Sequence, residues 1–187
     1  MKGMNNLDFI VSQLKQGEVI AYPTEAVFGL GCDPFNEQAV EKLLKLKQRP
    51  KEKGLILIAP YLDFFKQIID FDRLSLRDLK RLQQTYTRPT TWIVPVQKQV
   101  SPLLTGRFET IAIRLCRHPS VENLCQLAEM PITSTSANLS GQEPCRTYLQ
   151  VQEQFGENFP VLQAEVGDAK NPSEIRDLFT NQIVRQG

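Results

Sequence analysis

GLILIAP, residues 54–60, is a near-continuous apolar run between a glycine and a proline. A strand with one wet face alternates apolar and polar side chains, so an unbroken run of this length suits a strand buried on both faces. Such a strand needs helices to cover it, and helical patterns flank it. NEQAVEKLLKLKQRP, 36–50, begins with Asn36 as cap, carries Ala39, Val40, Leu43 and Leu44 on one face, and stops before Pro50. Two further helical segments follow, around 61–69 and 74–85. EVIAYP (18–23), TTWIVPV (90–96) and TIAIRLC (110–116) read as strands, and SVENLCQLAEM (120–130) and TYLQVQEQFG (147–156) as helices. MKGMNNLDFIVSQLKQG opens the chain as an amphipathic helix with Leu7, Ile10, Val11 and Leu14 on one face. PITSTS is a short strand running into a loop, and AEVGDAKNPSEIRDLFTNQIVRQG ends the chain in short strands and turns. Strands and helices intermixed in this way predict a three-layer α/β protein (α+β in some schemes), with one sheet covered on both faces. The many strand-like runs near Pro and Gly predict a mixed sheet.

Composition narrows the function classes. The 187 residues are 41% apolar and 23% charged, which is ordinary for one globular domain, here 1–187. No apolar run approaches the roughly 20 residues that span a bilayer. The N-terminus lacks the apolar centre and cleavage site of a signal peptide, so a cytoplasmic protein with no membrane partner is expected. Cys32, Cys116, Cys125 and Cys145 make no CxxC spacing and His118 is the single histidine, which argues against a zinc site, a disulfide framework and a Ser-His-Asp triad. His118 precedes Pro119 and reads as a surface turn. No long exposed apolar helix or heptad is visible, and a monomer is expected. The net charge is +1, yet KLLKLKQRPKEKG gathers Lys42, Lys45, Lys47, Arg49, Lys51 and Lys53 within a dozen residues. A run of this kind is a solvated helix face or a patch for an anionic partner.

Five segments place polar residues at the ends of apolar runs, where α/β proteins hold ligands. In AYPTEAVFGLGCD, Gly29 and Gly31 let the backbone turn or approach something closely. Lys47 and Arg49 stand together at a helix end before a buried strand and could grip phosphates. Thr90 and Thr91 open a strand beside Trp92. STSANLSG, 134–141, crowds short hydroxyl and amide side chains into a turn, as turns commonly do, or as a cradle for an anion. NPSEIRD and IVRQG add Ser173 and Arg185. There is no GxGxxG and no GxxxxGK[ST].

In this order, PTEAVFGLGCD, the Lys47–Arg49 pair, PTT (89–91), STSANLSG, PSEI (172–175) and the terminal VRQG resemble the YrdC family, in its short bacterial form, from about residue 7 to 187. The resemblance implies a YrdC-like twisted mixed sheet, flanked by helices, around a central positively charged cavity. It implies an adenylate-forming activity that joins L-threonine, bicarbonate and ATP, with Mg2+ accompanying the ATP and no dedicated protein metal site. Threonylcarbamoyl-AMP and pyrophosphate are the products. Other proteins then transfer the threonylcarbamoyl group to tRNA, which a basic face would hold. On the family pattern Lys47 and Arg49 are the catalytic cations. Lys47, Arg49, Lys53, Thr91, Ser134, Ser136, Asn138, Ser140 and Arg185 hold the nucleotide; Thr24, Ser173 and Arg114 hold threonine. Lys47 and Arg49 are expected to be exposed in the ligand-free protein. Two departures stand out: YTRPTT replaces the family's Trp-Pro-Gly-Pro, putting Arg88 where Gly is usual, and SEIR replaces Ser-Thr-Ile-Ile. The reading from another class is a module that binds tRNA or double-stranded RNA through Lys42, Lys45, Lys51 and Arg107, without catalysis of its own.

Overall fold

Asn36 starts the helix that the sequence assigns to it: its side chain accepts from the Ala39 N–H, one of the donors left free at a helix N-terminus. The structure, a computed structural model, describes residues 6–186. The first five residues of the expected N-terminal helix and the last residue of VRQG lie outside that range. In chain order the elements are α1 (Asn6–Lys15), β1 (Ile20–Pro23), β2 (Phe28–Gly31), α2 (Glu37–Leu46), β3 (Ile56–Ala59), α3 (Leu76–Gln83) and β4 (Thr90–Pro95). Then come α4 (Pro102–Thr105), β5 (Thr110–Leu115), α5 (Pro119–Ala128), β6 (Ile132–Ser136), α6 (Tyr148–Phe155), β7 (Glu174–Asp177) and β8 (Ile183–Arg185).

The strands form one open sheet in the order β1-β2-β6-β3-β5-β4-β7-β8. It is mixed, as expected: β3 runs parallel to β5 and β4 parallel to β7, while the other neighbours are antiparallel. GLILIAP supplies β3, which lies between β6 and β5 with Leu57, Ile58 and Ala59 fully buried. Helix α1 packs on α5, both reach β1, and α5 also covers β3; α2 rests on α4, which packs on β5. Ile10 and Leu14 of α1, Leu43 of α2 and Val121 and Leu124 of α5 are sealed into the same apolar cluster as β3. Among the described residues no helix is long and apolar enough to cross a membrane.

Three local expectations change. Gly29 and Gly31 are not turn glycines: they lie within β2, which the sequence reading ran together with the preceding turn. Close approach is their reason. A β-carbon on Gly31 would collide with the Thr133 carbonyl oxygen and lie 2.9 Å from the Tyr22 ring. The segment 61–69 is not a helix but a single 3-10 turn, Leu62–Phe65, after which the backbone pairs with the end of β4. His118 is not a free surface turn: it caps α5, its Nδ1 accepting from the Ser120 N–H at 3.2 Å. Burial holds its pKa below the usual value, opposed by a hydrogen bond to the Glu165 backbone.

Candidate active site

Strand register brings the polar ends together. Ser134 pairs with Ile56 of β3, Ser136 with Gly29 of β2, and Arg114 of β5 lies opposite both Ile58 and Thr91. Directly paired residues point to one face and the side-chain period is two, so Ser134, Ser136, Arg114 and Thr91 share a face. On that face lies a cavity of about 280 Å³. Its polar wall is Thr24, Arg49, Arg114, Ser134, Thr135, Ser136, Ser173, Arg185 and Gln186, with three guanidiniums and no carboxylate.

The end of α2 sets the cations. Gln48 takes the left-handed conformation (φ 48°), its N–H bonds to Lys45 O, and the Arg49 N–H reaches back to Leu44 O at 2.9 Å. This double closure of a helix C-terminus satisfies the last carbonyls and turns the chain sharply. Lys47 and Arg49 therefore leave the helix end toward the sheet. The Arg49 Nε–H donates to Gly54 O at 2.9 Å. The Lys47 ammonium donates to Ser136 O (2.8 Å), Asn138 O (2.7 Å) and Asn138 Oδ1 (2.8 Å). Ser136 Oγ also donates to Asn138 Oδ1, at 2.7 Å. Burial, with Arg49 second, pulls the Lys47 pKa down to about 8, while its three acceptors favour the ammonium. Burial and then Arg185 hold Arg49 below its ordinary value; burial also lowers Arg114, with Arg185 acting in the same direction. The three guanidiniums thus feel one another in a partly dry wall.

Elsewhere in the wall Thr24 is buried, and its hydroxyl donates to Val27 O at 2.8 Å. Its lone pairs stay free to accept. Ser173, also buried, shares a hydrogen bond of 2.7 Å between its Oγ and Thr91 Oγ1, and Arg185 donates to its carbonyl at 3.0 Å. Strand ends that gather cations, hydroxyls and a Ser-rich turn without any acidic side chain make a site for a multiply charged anion beside a small polar molecule. A family model described as Sua5/YciO/YrdC, telomere recombination, matches residues 12–187. The chain belongs to this family.

A threonylcarbamoyl-AMP synthase from Haemophilus influenzae (strain 86-028NP) is 61% identical over 182 residues, covering 97% of this chain and 100% of its own length. Among solved structures, P. abyssi Sua5 complexed with L-threonine matches with a TM-score of 0.80 at 24% identity, over 94% of this chain and 52% of that one. E. coli YciO matches with a TM-score of 0.78 at 24% identity, over 97% of this chain and 88% of that one. These two structures carry the fold, the same YrdC-like sheet.

Of the residues expected from the family pattern, Thr24, Arg49, Arg114, Ser134, Ser136, Ser173 and Arg185 line the cavity together. Lys47 and Asn138 stand just behind it, bonded to each other, and Thr91 is fully buried behind Ser173. Lys53 and Ser140 are exposed and outside the wall, Lys53 on the 3-10 turn Lys51–Lys53 and Ser140 at the tip of the Ser-rich loop. Lys47 and Arg49 are half-buried, not exposed, because the turn at the end of α2 drives them inward. On the basic face, Lys42 pairs with Glu18 at 2.9 Å and Lys51 with Glu41 at 3.3 Å, so part of its charge is answered within the protein. Among the described residues no group of three or more His, Cys, Asp or Glu side chains is placed to hold a metal. All four cysteines are buried and free. Sequence reasoning passed over Glu25, which forms an ion pair with Arg114. Its one signal was an acidic residue directly after Thr24.

Proposed function

We propose that the chain is a threonylcarbamoyl-AMP synthase, a nucleotidyltransferase that joins L-threonine, bicarbonate or CO2, and ATP into threonylcarbamoyl-AMP and pyrophosphate. The observation that carries this reading is the cavity wall of Arg49, Arg114 and Arg185 with hydroxyls and no carboxylate. Arg49 and Arg185 take the phosphates. Arg114 takes the threonine carboxylate, Thr24 Oγ1 accepts from its amino group, and the Ser173 hydroxyl, held by Thr91, bonds the amino acid. Ser134 and Ser136 face the nucleotide, and Lys47 acts with Asn138 to hold the loop that carries Ser136. Lys53 and Ser140 meet the nucleotide only at the rim.

Threonine's amine, once deprotonated, takes up CO2 as a carbamate, and a carbamate oxygen attacks the α-phosphorus while pyrophosphate leaves. Charge builds on phosphoryl and leaving-group oxygens, so fixed cations and in-line placement supply the catalysis, and no protein nucleophile is required. Mg2+ enters as part of the MgATP substrate. With no carboxylate in the wall, phosphate oxygens and water are its ligands. The adenylate is an activated acyl donor for transfer to an amine, which fits hand-over to tRNA-modifying proteins; direct tRNA docking would use Lys45, Lys51 and Arg107.

The test is pyrophosphate release by the purified protein. We expect release to require L-threonine, bicarbonate and MgATP together, with a product of threonylcarbamoyl-AMP mass. Tight tRNA binding with no release of pyrophosphate would instead favour a nucleic-acid-binding module.

A further inference from the structure

We infer that Glu25 is a positioning residue that, through Arg114, sets how strongly the cavity holds anions. The inference rests on the reading of that cavity as an anion site. Arg114 is the most deeply buried cation there, with a side chain 10% exposed, and its Nη2 pairs with the Glu25 carboxylate. The other cations are anchored differently: Arg49 to Gly54 O, Arg185 to Ser173 O, and Lys47 to Ser136 O and the Asn138 oxygens. A carbonyl anchor fixes a cation and leaves its charge intact. A carboxylate anchor fixes it and offsets the charge as well.

Glu25 does not meet a ligand in this cavity, because it is absent from the wall; it lines a second cavity of about 480 Å³. Trp92, in that second wall, pairs with Ile113, the residue before Arg114, so the two cavities lie on opposite faces of the sheet. The pair closes the partition between them. Its geometry is fixed from two segments: Thr24 is tied to Val27 O, while the N–H groups of Gly167 and Ala169 donate to Thr24 O and Glu25 O, both at 2.9 Å. Glu25 Oε2 and the Arg114 Nε–H, both buried, have no hydrogen-bond partner, so the pair is held by charge and by its surroundings. The Glu25 charge meanwhile limits the hold of three neighbouring arginines on a polyanionic product.

The experiment compares inorganic pyrophosphate binding, by calorimetry, with turnover in Glu25→Gln. One unit charge removed from a cavity wall at an effective dielectric of about 20 corresponds to about tenfold in affinity. We expect pyrophosphate to bind about tenfold tighter, while kcat falls and the KM for threonine rises about tenfold as Arg114 loses its anchor. A merely structural residue would weaken both ligands together. Unchanged or weaker pyrophosphate binding in folded Glu25→Gln overturns the inference. Should that protein not fold, Glu25→Asp keeps the charge one methylene short: wild-type pyrophosphate affinity with lowered kcat is expected, and wild-type kcat overturns the positioning role. The double variant Glu25→Gln/Arg114→Gln carries no unpaired buried charge, and pyrophosphate binding as tight as in Glu25→Gln would refute the route through Arg114. Calorimetry reads Glu25 even if the wild type releases no pyrophosphate, an outcome that would sink the synthase reading alone.

Discussion

Replacing Lys47 with Met keeps an unbranched side chain one atom shorter and removes its three donors. The acceptors do not suffer equally. Ser136 O still accepts from the Asn138 N–H at 3.1 Å, and Asn138 Oδ1 still accepts from Ser136 Oγ at 2.7 Å. Asn138 O loses the ammonium bond of 2.7 Å. A hydrogen bond to a charged group contributes about 1.5–3 kcal/mol. The site is half-buried, so water replaces part of that, and the variant is relieved of desolvating an ammonium. We expect a net loss of about 2 kcal/mol in stability, read from urea denaturation with unchanged slope. Turnover should fall about 100-fold, the scale of a roughly 1 Å misplacement of the loop that carries Ser136. Because Lys47 and Asn138 act through one loop, Lys47→Met/Asn138→Ala should be little worse than Lys47→Met alone. Independent contacts to phosphate would give additive losses. Stability within 0.5 kcal/mol of wild type, as is usual for exposed surface positions, or additive activity losses, would refute the loop-holding role.

The pH profile follows from the same residue. Below about pH 8 Lys47 is an ammonium with all three acceptors bonded, and as pH rises through its pKa of about 8 the proton is lost. The kcat/KM for ATP should therefore fall on an alkaline limb near that value. The limb should disappear in Lys47→Arg, and a limb more than a unit higher would mean that the three acceptors outweigh burial. Ser173→Ala should raise the threonine KM roughly 10-fold or more, at about 1.4 kcal/mol per decade, with ATP affinity near wild type. Thr91 Oγ1, fully buried, would lose its 2.7 Å partner, at a stability cost of about 1–3 kcal/mol. Gly31→Ala should leave little folded protein by circular dichroism, since the added carbon meets the Thr133 carbonyl. Gly141→Ala, with φ +81° and nothing within 4 Å of the added carbon, should fold.

What the sequence made legible was whatever local chemistry decides. Asn36 and the apolar positions of α2 depend on one helix, and they lie as read. The polar segments at strand ends foretold Thr24, Arg49, Ser134, Ser136, Ser173 and Arg185, which meet in the cavity wall, and the family resemblance added Arg114. The misreadings lie where a distant partner decides. YLDFFKQIID has helical spacing, yet the Asp70 N–H bonds Pro95 O and the Gln97 side chain bonds Lys66 O and Ile69 O, so strand-edge pairing replaces the second helical turn. Gly29 and Gly31 look like punctuation until Tyr22, folded over them with its hydroxyl donating to Thr133 O at 2.9 Å, shows what needs the space. Glu25 and Arg114 belong to different strand ends, and nothing local announces their pairing.

Anchoring chemistry also explains why a small site can be strongly cationic and still be ordered. Guanidiniums and an ammonium this close repel one another: burial first, and then the neighbouring cation, lowers the pKa of Lys47 and of Arg49. Left as free side chains they would swing toward solvent, and binding would have to reorder them at a cost of about 0.5–1.5 kcal/mol each. Backbone carbonyls of Gly54, Ser173 and the Ser136–Asn138 turn hold them instead, through oxygens that belong to the sheet ends and the α2–β3 connection. Held in this way the cations would need little reordering to take up an anion, and a field aimed at a phosphoryl group would need little reorganisation. Arg114 is the exception, tied to a carboxylate. Under the proposed assignment it would contribute orientation more than field, which suits a group that holds one carboxylate and lets the product leave.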